Sequence, residues 1–178
     1  MLKRLRSAGF TLVEILITIT VMGILIMLAM PSFGEWLQNQ QLRAGADASL
    51  NGLQVARAEA IRRNLAVQIV FAADSTAWAV TEAASGTAIQ SRTQQEGSPN
   101  AVLAATPAGA TTVTFTPLGA TTTNLDGSPR ITRLDISNTK GGACQPAGPM
   151  RCLALIVQGG GSVKMCDPLV ASPDARAC

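Results

Sequence analysis

The sequence predicts an α+β fold: one long N-terminal helix, then a β-rich domain whose antiparallel sheet packs on the second half of that helix. Three observations carry the prediction. A charge-free aliphatic run occupies residues 15–30, an apolar stripe at helical spacing follows it, and short alternating segments then stand between loops rich in Gly, Pro, Ser and Thr. The 178 residues suffice for one compact domain and one further element.

The run comes first. With its flanks, residues 10–33 would reach roughly 36 Å as a helix at about 1.5 Å per residue, enough to cross a hydrocarbon core about 30 Å thick. Lys3, Arg4 and Arg6 precede it and no Lys or Arg follows until Arg43. The positive-inside bias therefore places the N-terminus in the cytoplasm and the chain beyond residue 34 on the opposite side. The run exceeds the apolar core of a cleavable secretory signal, and no A-x-A-like site closes it in a polar context. Glu14 does not fit a plain anchor, because a carboxylate inside a spanning helix costs a few kcal/mol unless it stays near the headgroups or finds a partner. Pro31 removes a backbone donor close to Gly34, so a kink or soft segment is expected at the end of the anchor.

Residues 34–64 continue as an amphipathic helix. Leu42, Ala46, Leu50, Leu53, Ala56 and Ala60 recur at spacings of three and four, while Arg43, Asp47, Arg57, Glu59, Arg62 and Arg63 fall mostly off that stripe. Residues 65–178 form the β-rich domain. Strands are expected at 66–72, with Val67, Ile69 and Phe71 on one face, and at 77–82, with Trp78 and Val80 inward. Residues 73–76 make the hairpin connection between them. Further strands are expected at 88–92, 112–116, 131–137, 152–158 and 162–166. Loops are expected at 94–109, 118–129 and 140–149, and the Ala/Thr-rich stretch 101–123 as a mobile loop flanking one strand.

Composition narrows the chemistry. Fourteen basic and eleven acidic side chains leave +3, and removing Lys3, Arg4 and Arg6 leaves eleven of each, so the bulk of the protein is formally neutral and no polycation. The chain has no histidine. A Ser–His or Cys–His nucleophile is therefore excluded, and no spaced carboxylate pair stands out, so an enzyme is not expected. Cys144, Cys152, Cys166 and Cys178 are even in number and lie outside the membrane segment. Their spacing lacks a close C-x-x-C pair, which disfavours zinc or any other metal, and two disulfides in an oxidising compartment are expected instead. Of three possible pairings the preferred one joins Cys144 to Cys152 across a Gly/Pro-rich loop and Cys166 to Cys178 across the C-terminal tail. No cofactor is expected.

The stretch Lys3-Arg4 … Gly9-Phe10-Thr11-Leu12-Val13-Glu14, followed by the apolar run, resembles the type IV prepilin signature. That resemblance implies a leader, residues 1–9, cut by a prepilin peptidase between Gly9 and Phe10. It further implies N-methylation of Phe10 and pairing of Glu14 with the Phe10 amine of a neighbouring subunit on assembly. Each charge is expensive in lipid and relieves the other only when helices pack, so the pair reads as a register device. Its implied partners are other minor and major pilins and an inner-membrane assembly platform. The implied location is the inner membrane with a periplasmic domain, and then the pilus.

Within type IV pilin-like proteins, the chain looks most like the FimU/FimT minor pilins and GspH pseudopilins. The carriers are the helix end Ala56-Arg57-Ala58-Glu59-Ala60-Ile61-Arg62-Arg63-Asn64, the strand with Val67 and Phe71, Trp78-Ala79-Val80, and Phe115-Thr116-Pro117-Leu118-Gly119. DNA-uptake members carry Gly-Arg-x-Arg near the C-terminus. Here Gly161-Ser162-Val163-Lys164 lacks both arginines, leaving Lys164 and Arg176 as weak candidate nucleic-acid contacts. The resemblance favours a minor pilin, with a DNA-binding minor pilin or a type II secretion pseudopilin as alternatives.

Overall fold

A computed structural model of the chain describes residues 10–178. Residues 1–9, the expected leader with Gly9 at its end, lie outside the described residues. The chain forms one helix, α1 (Leu12–Arg63), and nine strands. By its contacts it divides into two units, one ending at Gly34 and one running from Glu35 to Cys178.

In the first unit, helix α1 starts where Thr11 caps it: the Thr11 hydroxyl accepts the Glu14 amide N–H at 3.2 Å. The polar side chains of the apolar run turn back on their own helix. Thr18 donates to the Ile15 carbonyl at 2.8 Å, Thr20 to that of Leu16 at 2.7 Å and Ser32 to that of Ala29 at 3.0 Å. Hydroxyls satisfied in this way carry no unmet donor into an apolar surrounding. Pro31 and Gly34 both lie within the helical span of α1.

In the second unit α1 buries Leu42, Gly45, Ala46, Ser49, Gly52, Leu53, Ala56 and Ala60. Leu50 of the expected stripe is only partly buried against the core. Small residues let the sheet approach closely. A Cβ on Gly52 would lie 2.7 Å from Trp78 Cε2, and one on Gly45 would lie 3.0 Å from Thr76 Cγ2. The helix ends in a Schellman turn, with Asn64 at φ 53°. The Leu65 N–H bonds the Ala60 carbonyl and the Asn64 N–H the Ile61 carbonyl, each at 3.3 Å.

The strands form two antiparallel sheets where a single sheet was expected. The first contains β1 (Val67–Phe71), β2 (Trp78–Glu82), β3 (Ala88–Arg92), β5 (Thr112–Phe115) and β6 (Thr121–Thr122), in the order β3-β2-β1-β5-β6. Val67, Ile69 and Phe71 of β1 and Trp78 and Val80 of β2 face the core, and Phe71 stands opposite Trp78 in the hairpin. The second sheet contains β4 (Ala101–Thr106), β7 (Arg133–Asn138), β8 (Leu153–Val157) and β9 (Val163–Cys166), in the order β4-β7-β8-β9.

Strand β4 corrects the expected 94–109 loop. Ala101 to Thr106 pair residue by residue with Asn138 to Arg133, and Ala101 and Leu103 point into the core. Alanine is a poor strand former and its small side chain gives little alternation to read. The stretch 101–123 is accordingly no mobile loop, since β4, β5 and β6 all fall within it. The 118–129 segment is likewise pinned, by a buried asparagine. Asn124 accepts from the Thr114 hydroxyl at 2.9 Å and donates to the Thr112 and Pro129 carbonyls at 3.3 Å. This explains why Thr112 and Thr114, on the side of β5 away from Val113 and Phe115, are buried as well.

Candidate functional site

The apolar segment is laid bare. Every side chain from Phe10 to Phe33 is exposed, Phe10 at 80% and Leu12 at 78%, and the helix is long and apolar enough to cross a membrane by length and composition. Aliphatic side chains on this scale cannot remain in water, so they need lipid or other helices around them. Among the described residues the Glu14 carboxylate has no ion-pair partner. Its backbone N–H is taken by the Thr11 cap, and Glu14 is the acidic residue of the first turn. Glycines add to this open surface: a Cβ on Gly23 or Gly34 would meet nothing within 4 Å in the subunit.

The domain end of α1 is tied down electrostatically. Glu59 receives Arg62 at 2.6 Å and Arg63 at 2.7 Å, and Arg63 reaches Glu82 of β2 at 2.9 Å. The hydrogen bonds from Arg62, and next from Arg63, pull the Glu59 carboxyl down from 4.5 to about 2. Glu82 is lowered chiefly by Ser85 and then by Arg63. Arg62 and Arg63 are therefore neutralised where they stand and form no basic patch.

The C-terminal third is held by covalent and amide clamps. Cys144 is bonded to Cys152 across the β7–β8 connection, and Cys166 at the end of β9 to Cys178, with Cα separations of 5.5 and 5.0 Å. Five amide side chains of α1 and its neighbours go unremarked in the sequence, yet they fasten this region to the helix. Asn39 Oδ1 accepts the Arg151 N–H at 2.8 Å and its amide donates to the Pro149 carbonyl at 3.3 Å. Gln38 Oε1 accepts from Asn138 at 2.8 Å and from Asn100 at 3.2 Å, and Gln41 accepts from Asn100 at 3.0 Å. The signal available in the sequence was the run Gln38-Asn39-Gln40-Gln41 directly after the apolar segment, which is more amide than a solvated helix face requires.

The two nucleic-acid candidates are engaged structurally. Lys164 Nζ donates to the Ala177 carbonyl at 2.8 Å. Arg176 chelates Asp174, through Nε at 3.2 Å and a second guanidinium nitrogen at 2.8 Å, and holds the Asp174 carboxyl down from 3.8 to about 2. Both side chains serve to order the tail. Among the described residues no group of three or more His, Cys, Asp or Glu could hold a metal ion.

A bared apolar helical segment with an acid in its first turn, carried by a disulfide-tied α+β domain, is the build of a type IV pilin-like protein. Family comparison gives the narrower placement. The model for type II transport protein GspH matches residues 46–161, and that for the prokaryotic N-terminal methylation motif matches residues 4–30. The chain belongs to the GspH family. In fold it is similar to crystal structures of the type IV minor pilin FimU from Pseudomonas aeruginosa PAO1. One form, 16% identical, covers 75% of this chain and 93% of that one at a TM-score of 0.54. A second, also 16% identical, covers 74% and 98% at 0.51. No curated relative matches the chain.

Proposed function

We propose that this protein is a minor pilin: a structural subunit cut by prepilin peptidase between Gly9 and Phe10, N-methylated at Phe10, and held in the inner membrane with its disulfide-bonded domain in the periplasm. From there an assembly platform builds it into a type IV pilus, at the tip or as a primer of assembly, beside other minor and major pilins. The observation that carries the reading is the fully exposed apolar segment with Glu14 in its first turn and no cation to meet it among the described residues. Alone in a bilayer that carboxylate is costly. Against the Phe10 amine of a neighbour it is matched, so assembly selects the register that pairs them. Pro31 and Gly34 are helical in the free subunit, and we propose that the helix kinks or loosens there when it enters the filament, where Pro31 already lacks its helical bond.

Epitope-tagged protein in sheared surface filaments tests the reading: recovery with the filaments supports it. A deletion that leaves piliation intact and abolishes type II secretion would transfer the protein to the secretion pseudopilus, the alternative reading. Salt-sensitive, tight binding of duplex DNA would instead support the receptor reading, which the engagement of Lys164 and Arg176 within the tail disfavours.

A further inference from the structure

A cavity of about 520 Å³ lies between α1, strands β8 and β9 and the C-terminal tail. Its lining brings together three arginines far apart in sequence (Arg43 on the helix, Arg151 just before β8, Arg176 in the tail) against one carboxylate, Asp167. The chain from residue 10 onward is formally neutral, so this concentration of cations is local.

Each arginine arrives on a segment that is pinned. Asn39 fixes the backbone at Arg151. The Asp167 N–H donates to the Arg176 carbonyl at 2.8 Å, and the Cys166–Cys178 disulfide closes the same turn. Two of the three cations have charge to spare. Among the described residues the Arg151 side chain has no hydrogen-bond or ion-pair partner, and Arg43 has only Asp47, at 4.0 Å on an exposed surface. Arg176 is already matched by Asp174. Leu153 and Met165 supply an apolar wall beside these charges.

We propose that this cavity docks an acidic segment of a different, neighbouring pilin subunit, whose carboxylate forks onto Arg151 and Arg43 while an adjacent apolar side chain covers Leu153 and Met165. The inference rests on the pilin reading above. Phosphate chains fit less well. A nucleic-acid backbone needs a run of cations along a groove, whereas Lys140 and Lys164 lie outside this cavity and Asp167 stands within it. The position also suits a subunit contact, because residues 36–43 follow directly on the segment through which pilin helices would pack.

The test uses the full-length protein in its native host. Arg151→Glu reverses the docking charge, and Lys140→Glu makes the same change in net charge outside the cavity. The inference expects Arg151→Glu to lower recovery in sheared filaments about tenfold or more, with membrane level and N-terminal processing unchanged, and Lys140→Glu to match the wild type. In parallel, p-benzoylphenylalanine in place of Gln40, an exposed residue of the lining, is photo-crosslinked and the attached peptide sequenced. An Asp- or Glu-bearing peptide from another pilin supports the proposal. Equal recovery of Arg151→Glu and Lys140→Glu overturns it, as does a crosslink to nucleic acid, to this same chain or to a peptide without an acid. Absence of the wild-type protein from filaments would instead sink the pilin reading itself.

Discussion

Gly52→Ala sets two opposite effects against each other, and the structure decides between them. Alanine favours a helix interior over glycine by about 1 kcal/mol, which alone would stabilise α1. The new methyl, however, would sit 2.7 Å from Trp78 Cε2 and 2.9 Å from Trp78 Cδ2 and Ile69 Cδ1. The Ile69 methyl end can swing away at small cost. The indole cannot, because it is 4% exposed and its Nε1 donates to the Ala48 carbonyl at 3.1 Å. Moving it adds a strained hydrogen bond to an overpacking cost of about 1–3 kcal/mol. The net expectation is destabilisation by about 1–2 kcal/mol, or about 3–6 °C in Tm for a domain of this size. Thermal unfolding of the full chain in detergent micelles, followed by Trp fluorescence, measures it. Gly23→Ala is the control, since its Cβ would meet nothing within 4 Å. A Tm for Gly52→Ala equal to or above wild type would refute the packing argument.

Other expectations follow from the same geometry. Glu14→Val should insert into the membrane normally and fall about tenfold or more in sheared filaments by immunoblot, because the neighbour's amine is left unmatched. Stability should be pH-dependent in acid. The Glu59 carboxyl is depressed in the folded state, so its contribution is complete above its ordinary 4.5 and is lost as pH falls towards about 2. Tm measured across that window should drop, and Glu59→Gln should flatten the slope. Replacing Cys166 and Cys178 together by alanine should destabilise the tail by about 2–4 kcal/mol, read as faster amide exchange at residues 167–177.

Much of the architecture is legible wherever side chains are large and periodic. The helix stripe, the β1–β2 hairpin with Trp78 facing inward and the Asn64 helix stop follow from spacing, bulk and the αL tolerance of asparagine. Where side chains are small or amide, the pattern is silent. Strand β4 is three alanines, one valine, one leucine and one threonine, so its alternation is too shallow to distinguish from a loop. The clamps by Gln38, Asn39 and Asn124 join residues 10 to 112 positions apart, and no local pattern shows which distant carbonyl a given amide will meet. Of the candidate site, the apolar segment and Glu14 are visible in composition alone. The basic cavity is not, because Arg43, Arg151 and Arg176 are brought together only by the fold.

The identity of the mature first residue decides whether this chain is processed as a pilin. Mass analysis of the N-terminal peptide from filament-associated protein should find a chain that starts at a methylated Phe10. A filament-borne chain that still starts at Met1, or an unmethylated Phe10, would contradict it.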